Sequence, residues 1–150
     1  MKKLWNWLLA REDLTPPGSD EQYLIRWRLL SLPGGRRVYL HKFVGDDWSR
    51  DPHDHPKDFT SIGLWGEYEE EVYLTQAWQI PLFRSRVVRW RAPFIRYFKA
   101  ETIHRIRLID GKPAWTLVFT GAVRRPWGFY KPDGTFMTHK EYLEQLSDQA

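Results

Sequence analysis

The segment 51-DPHDHPKDFTSIGLWGEYEEE-71 combines a pair of histidines with a strand-like run, and it decides how the rest of the chain is interpreted. His53 and His55 are separated by one aspartate and lie between Pro52 and Pro56. Side chains two positions apart on an extended backbone share a face, so both imidazoles can point the same way. Two neutral imidazoles so placed are typical ligands of a divalent metal, although histidines in a proline-bounded loop can also be plain surface residues. The segment therefore predicts either part of a metal site or an exposed loop.

Strand-like runs continue on both sides of this segment. Runs such as YLIRWRLLSL, RRVYLHKFVG and AWTLVFTGAV are rich in aromatic and branched residues, and turn signals such as PGG, DGKP and PDG separate them. Turn signals recur about every ten residues, and short strands at this spacing are typical of a β-sandwich or barrel. The sequence therefore predicts a mainly β protein whose barrel covers about residues 23–130.

Helical patterns occur only near the two ends of the sequence. Apolar residues recur at helical spacing near the start, which predicts a short amphipathic helix over about residues 1–12. Thr138, followed three residues later by Glu141, matches a capping box and predicts a helix over about residues 138–148. No domain boundary is evident, so residues 1–150 are predicted to form a single domain.

The composition narrows the chemistry that the chain can perform. There is no cysteine, which excludes disulfides, thiolate metal ligands and a cysteine nucleophile. Nine tryptophans, seven tyrosines and eight phenylalanines supply bulky side chains for a core or a ligand cavity. The opening MKKLWNWLLARED is too short and too polar for a signal peptide, and no segment is apolar enough to cross a bilayer. We therefore expect a cytoplasmic protein without a membrane span.

The net charge of +4 raises the question of an anionic partner. Arg84, Arg86, Arg89 and Arg91 recur mostly at every second position, which places them on one face of a strand. A solvated outer face is the favoured interpretation, and a surface that tracks nucleic-acid phosphates is the alternative. The expected partner is therefore a small-molecule ligand or substrate, with nucleic acid disfavoured and a homodimer left open.

A third candidate ligand lies well downstream of the histidine pair. His104 begins a predicted strand, and an antiparallel barrel can bring the start of that strand beside His53 and His55. An H-x-H pair, a strand that ends at Gly66 and a lone histidine together resemble the two motifs of the cupin superfamily. The stretches HDHPKDFTSIGLWGEYEEE, HRIRLIDGKPAWTLVFTG and WGFYKPDG are similar to small cupin-like proteins of bacteria and phages. The resemblance covers roughly residues 36–130. It implies a cupin-type double-stranded β-helix, or jelly roll, with the three histidines in its pocket, and it names no reaction.

The acidic ligand of the usual cupin pattern is missing. Where that pattern has a glutamate, this chain has Phe59 and Thr60. Asp58 is one residue too early and faces away from the histidines in a regular strand, unless a bulge turns it inward. The alternatives are a three-histidine site or a carboxylate from the following strand, whose alternating acids are Glu67, Glu69 and Glu71. Such a site suits a divalent ion of iron, zinc, manganese or nickel.

Other residues are predicted near the same pocket. His41 alternates with two aromatic residues on a predicted strand and is a candidate for the pocket wall, although a satisfied core histidine is the favoured interpretation. Tyr68 and Tyr97 are candidate acids in the pocket, and Arg96 beside Tyr97 is placed to reach an anionic substrate at the barrel mouth.

Three functions are compatible with these residues. The leading hypothesis is a metal-dependent enzyme that acts on a small molecule by oxygenase, isomerase or hydrolase chemistry. The second is a metal-independent, epimerase-like barrel with a histidine base and a tyrosine acid. The third is a non-catalytic binding or structural barrel, for which the resemblance suggests an association with phages. Whether the chain is an enzyme is left open by the sequence.

Overall fold

The computed structural model describes residues 10–15, 22–46, 51–74 and 84–148. Within these ranges the chain is mainly β, as predicted, with eleven strands and one α-helix. In chain order they are β1 (Ala10–Leu14), β2 (Leu24–Leu32), β3 (Arg36–Phe43), β4 (Phe59–Trp65), β5 (Glu67–Leu74), β6 (Arg84–Arg91), β7 (Phe94–Phe98), β8 (Ile103–Leu108), β9 (Ala114–Thr120), β10 (Gly128–Tyr130), β11 (Phe136–Thr138) and α1 (His139–Ser147).

The larger sheet has six strands in the order β1-β2-β3-β9-β4-β7, and neighbouring strands pair antiparallel. Its first hairpin, β2–β3, closes through Pro33–Gly35, where Gly34 and Gly35 both have φ of 73°. This left-handed conformation favours glycine, since a side chain there would be strained, and the predicted PGG turn is confirmed. β9 lies between β3 and β4, so the sheet also joins segments that are far apart in sequence.

A second sheet contains the strand that carries His104. Its three strands have the order β6-β5-β8, and β10 and β11 form a separate antiparallel pair. The backbone of His53 joins the three-stranded sheet to the β10–β11 pair, because it bridges to His104 of β8 on one side and to Phe129 of β10 on the other. The His53 N–H donates to the His104 carbonyl at 3.0 Å, and the His104 N–H donates back at 2.9 Å. The histidine segment is therefore held between β8 and β10 by backbone hydrogen bonds and is not an exposed loop.

Alternation along β5 separates a buried face from a charged outer face. Tyr68, Glu70 and Val72 are buried, whereas the acids that alternate with them lie on the outer face. These outer acids pair with arginines of the neighbouring strands: Glu67 with Arg89, Glu69 with Arg107 and Glu71 with Arg105. The surface around Arg89 therefore carries both signs of charge, in agreement with a solvated outer face. The prediction that all four arginines of β6 share one face is wrong, because Arg89 and Arg91 lie opposite Glu69 and Glu67 whereas Arg84 and Arg86 lie opposite Leu74 and Val72 on the other face.

An apolar core closes one end of the space between the sheets. Leu24, Phe43, Tyr68, Leu108 and Ala114 form one buried cluster, with the Phe43 and Tyr68 ring centroids 5.7 Å apart. Burial of each large apolar side chain stabilises the fold by about 1.5–3 kcal/mol. Beyond this core the barrel contains a cavity of about 370 Å³, and the three predicted histidine ligands lie on its wall.

The predicted C-terminal helix is present as α1. Thr138 caps it with a capping box, in which the Glu141 N–H donates to Thr138 Oγ1 at 3.3 Å and the Thr138 N–H donates to the Glu141 carboxylate at 2.8 Å. Both orphan backbone donors are thereby satisfied, as the sequence pattern predicts. No helix in the described part of the chain is long and apolar enough to cross a membrane.

The N-terminal helix predicted over about residues 1–12 is wrong at residues 10–12. Residues 10–12 belong to β1, because Ala10–Leu14 pairs with β2 along its whole length. Cross-strand pairing there outweighs the helical spacing of the apolar residues that precede it. Residues 1–9, which form the rest of the predicted helix, lie outside the described residues.

Candidate metal centre

The three predicted histidines converge on one wall of the cavity. One ring nitrogen from each of His53, His55 and His104 lies within 4.8 Å of the other two. The Nε2 atoms of His55 and His104 are 2.7 Å apart. Within the described ranges, this is the one group of three or more histidine, aspartate or glutamate side chains whose possible ligand atoms lie this close together.

Backbone contacts hold the histidine pair ahead of β4. Both histidines precede that strand, which begins at Phe59. His53 bridges β8 and β10, and the His55 N–H donates to the Ala100 carbonyl at 2.9 Å. The two imidazoles therefore share a direction because this short extended segment is pinned at both positions, and not because they lie in the regular strand that follows.

Asp54 anchors the same segment from the other side. Its carboxylate is fully buried and accepts the Gly128 N–H and the Tyr130 hydroxyl, each at 2.9 Å. Arg125 pairs with the same carboxylate. Successive side chains of an extended segment point to opposite sides, so this network fixes the backbone while the flanking imidazoles face the cavity.

Glu70 orients His104, and it is a site residue that the sequence does not predict. Its side chain is 0% exposed, and Oε1 lies 2.7 Å from His104 Nδ1. Oε2 accepts the Trp90 indole N–H at 2.8 Å and pairs with Arg96. The Arg96 guanidinium lies 3.8 Å from the centroid of the Phe98 ring. The Trp90 N–H and the Arg96 cation surround this buried carboxylate, and a carboxylate so placed accepts a hydrogen bond from the Nδ1–H of His104.

Arg96 is therefore not at the barrel mouth, where the sequence places it. Burial lowers its pKa to about 10, so the side chain remains a cation at neutral pH and balances Glu70. A signal for Glu70 does exist in the sequence, because it alternates with Tyr68 and Val72 on β5. Glu67, Glu69 and Glu71, the acids predicted as alternative ligands, occupy the opposite face.

The proton positions of the histidines fit a metal ligand set. With the Nδ1 proton of His104 donated to Glu70, Nε2 of His104 carries a lone pair directed at His55. Burial lowers the pKa of His55 and His104 well below the usual value, and neighbouring histidines lower it further. Both rings are therefore neutral at physiological pH, which is the form that binds divalent metals. The donor set of three imidazoles thus suits such an ion.

Asp58 and Tyr97 lie apart from this cluster. Asp58 Oδ1 accepts the Ala100 N–H at 2.8 Å, and Arg124 donates to both carboxylate oxygens at 2.8 and 2.7 Å. The hydrogen bond from the Ala100 N–H, and to a smaller extent those from Arg124, hold the pKa of Asp58 below its usual value. Tyr97 is 60% exposed and hydrogen-bonds Asp58 on the outer face. Its prediction as a pocket residue is wrong, because its neighbour Phe98 takes the inward position on β7.

His41 and Tyr68 lie on the cavity wall, as does Thr116. Burial, with a smaller contribution from Arg26, lowers the pKa of His41 to about 3, so this imidazole is neutral. His41 Nε2 and Thr116 Oγ1 are buried and have no hydrogen-bond partner among the described residues. The cavity wall next to the apolar core thus presents polar atoms to whatever occupies the cavity.

Known proteins resemble this chain in structure and not in sequence. No protein-family model and no curated protein matches the sequence. A cupin-2 domain protein, Rru_A2000 from Rhodospirillum rubrum, has a TM-score of 0.58 at 12% identity, over 95% of this chain and 84% of that one. Fe(II)-HppE with the alternative substrate (S)-1-HPP has a TM-score of 0.55 at 10% identity, over 74% of this chain and 56% of that one. KdgF from Halomonas sp. has a TM-score of 0.51 at 16% identity, over 77% of this chain and 88% of that one. Together with the sheet order and the position of the cavity, these similarities establish that the chain has the cupin fold.

Proposed function

We propose that this protein is a metal-dependent enzyme that acts on a small molecule, with His53, His55 and His104 as the metal ligands. The observation that carries the proposal is the convergence of three imidazoles, one ring nitrogen of each within 4.8 Å of the others, on the wall of a cavity of about 370 Å³. Three protein ligands leave a position open for substrate, which is typical of catalytic metal sites.

A divalent metal in this position supplies Lewis-acid or redox chemistry to a substrate held beside it. The residues of the chain prepare the site for that chemistry. Glu70 accepts the Nδ1 proton of His104 at 2.7 Å and so keeps the Nε2 lone pair available. Arg96 balances the charge of Glu70. Phe59 and Phe98, stacked with ring centroids 4.6 Å apart, give the site an apolar side.

Two observations favour an enzyme over a non-catalytic barrel. A barrel used only for structure would fill its interior with side chains, whereas this cavity combines aromatic and apolar walls with a few convergent polar groups. Among the proteins of similar fold, HppE is described with Fe(II) and an alternative substrate. Iron is therefore the first metal to test here, followed by zinc, manganese and nickel.

Metal analysis of protein purified without a histidine tag tests the proposal. We expect near-stoichiometric metal in the wild type and a large loss of metal in His55→Ala and in His104→Ala. His139→Ala is the matched control, because His139 stacks on Trp127 at 4.3 Å and is not part of the cluster. Full metal content in both ligand variants would overturn the proposal.

A metal-independent acid–base barrel is the second candidate. The His55 and His104 Nε2 atoms are 2.7 Å apart, a distance at which one proton joins two imidazoles. Tyr68 lines the same cavity and is 3% exposed. In this function a histidine takes a proton from the substrate and Tyr68 donates one. Turnover that survives exhaustive chelation and is lost in Tyr68→Phe would favour this candidate over the metal enzyme.

A further inference from the structure

The cavity that contains the histidines is also lined by three cationic side chains. These are Arg26, Arg37 and Lys57, and each is half-buried. None of the described residues on the cavity wall is an aspartate or a glutamate. The cavity therefore has an excess of positive charge in a partly enclosed space, where charge–charge interactions are stronger than in bulk water.

Two of the cations lie at the end of the cavity away from the apolar core. The inward positions of β3 run from Arg37 through His41 to Phe43, which belongs to the core. Lys57 donates to the Gly35 carbonyl at 2.6 Å, in the turn that precedes β3. Arg37 and Lys57 are thereby brought to the same end of the cavity.

Only part of this positive charge is compensated among the described residues. Arg26 Nε donates to the Glu12 carboxylate at 2.6 Å. Arg37 donates to the Tyr39 hydroxyl at 3.0 Å, and Lys57 donates to a backbone carbonyl, both of which are neutral acceptors. Two cations at one end of the cavity therefore lack a carboxylate within ion-pair distance in the described part of the chain.

Two neutral polar atoms lie farther along the same wall. His41 and Thr116 are cross-strand partners on β3 and β9. Their Nε2 and Oγ1 atoms are buried and have no hydrogen-bond partner among the described residues. Buried polar atoms in folded proteins are nearly always hydrogen-bonded, so an unsatisfied pair on a cavity wall indicates a place for polar atoms of a ligand.

We propose that the substrate is a small organic anion whose acidic group, a carboxylate or a phosphoryl group, binds to Arg37 and Lys57. His41 and Thr116 bind a polar group in the middle of the molecule, and the remaining part reaches the metal ligands. This inference rests on the metal-dependent function proposed above and names the class of substrate for it. Arginine and lysine recognise carboxylate and phosphoryl oxygens through charge-assisted hydrogen bonds. Arg96 does not serve this purpose, because it pairs with Glu70.

Calorimetric titration of the metal-loaded protein at constant ionic strength tests the inference. The probes are malonate, methylphosphonate and the neutral malonamide. We expect at least one of the two anions to bind and malonamide not to bind, and the anion that binds more tightly identifies the acidic group. Arg37→Gln and Lys57→Gln should each weaken anion binding at least about tenfold, the usual effect of losing a charge-assisted hydrogen bond. Arg36→Gln is the matched control, because Arg36 is the neighbouring exposed cation on the outer face of β3 and its loss should leave affinity unchanged.

Metal content measured on the same samples separates this inference from the proposed function. Arg37→Gln and Lys57→Gln should retain their metal. Anion binding that is lost in His104→Ala and kept in both cation variants would put the anion on the metal and overturn the inference, while the metal function stands. Anion binding that depends on Arg37 and Lys57 in a protein without metal would support the inference and overturn the metal function. Equal affinity for malonate, methylphosphonate and malonamide, or no binding of either anion, would also overturn the inference.

Discussion

Replacing Glu70 with glutamine should destabilise the core and weaken metal binding at the same time. The Glu70 carboxylate is fully buried, accepts from His104 and Trp90 and pairs with Arg96. A glutamine has a similar shape but offers one acceptor oxygen and an NH₂ donor, so it cannot serve all three partners and leaves the Arg96 cation without a counter-charge. Removing one partner of a buried ion pair costs about 3–5 kcal/mol, and we expect the free energy of unfolding to fall by this amount.

The effect on the metal follows from the orientation of one ring. In the wild type the carboxylate lies 2.7 Å from His104 Nδ1 and fixes the ring with its Nε2 lone pair in the cluster. Loss of such a partner lowers metal affinity by about ten- to a hundredfold. Competition with a chelator measures the affinity, and urea unfolding of the same preparation measures stability. Glu69→Gln is the control, because Glu69 is the adjacent residue on the outer face, where its pair with Arg107 at 3.0 Å contributes about 0–1 kcal/mol.

A second substitution separates the two effects. Arg96→Met in the Glu70→Gln background removes the unpaired buried cation, so part of the lost stability should return. Metal affinity should not return, because the ring of His104 still lacks its acceptor. Glu70→Gln with wild-type metal affinity and with the stability of Glu69→Gln would refute the role given to this carboxylate.

Four further predictions concern the same site. In the metal-free protein, His41, His55 and His104 have folded pKa values below the ordinary 6.5. These neutral histidines cost no stability above pH 6.5. Below pH 6.5 the unfolded chain binds protons that the folded protein does not, so the free energy of unfolding should fall by up to about 1.4 kcal/mol per histidine for each pH unit. Equal stability by urea unfolding at about pH 7.5 and 5.5 would contradict this. His55→Ala and His104→Ala should each remove most of the metal and the double variant little more, because ligands of one ion act as a unit; additive losses in metal analysis would indicate separate sites. Asp58→Ala should leave metal content unchanged, since its oxygens accept from a backbone N–H and from an arginine. Loss of metal from this variant would indicate that Asp58 is part of the metal site. Asp54→Ala should lower the free energy of unfolding by about 1–3 kcal/mol, because it leaves the buried Gly128 N–H without its acceptor, and an unchanged urea midpoint would count against that network.

The strands were predictable because their signals are local. The turn between β8 and β9 places Asp110 at φ of 52° and Gly111 at 64°, a backbone shape that the DGKP motif predicts. Alternation of apolar and polar residues then identifies the face of each strand that turns inward. The prediction fails at residues 10–12, where pairing with β2, a contact with a later segment, decides the structure.

The site was predictable only in part, because the residues that orient the histidines have partners from several strands. The H-x-H spacing and His104 identify the three imidazoles. Alternation along β5 places Glu70 on the inward face, but its role depends on Trp90, Arg96 and His104 of β6, β7 and β8, which no local pattern predicts. For Asp58 the sequence leaves a regular strand and a bulge equally open, and the outcome depends on Arg124, which is distant in the chain.

The buried charges of this barrel are explained better by ligands than by stability. An ion pair such as that of Glu70 with Arg96 can often be replaced by apolar side chains of similar volume without loss of stability, so its value here lies in the orientation it gives to His104. Arg37 and Lys57, by contrast, have no carboxylate partner on the cavity wall, so the two cations repel each other. A divalent cation bound to the imidazole lone pairs would use the orientation that Glu70 gives to His104, and an anion at the cationic end would neutralise Arg37 and Lys57. An anionic substrate bound in this way lies along the wall between the two ends of the cavity, with its reactive part against the metal ligands.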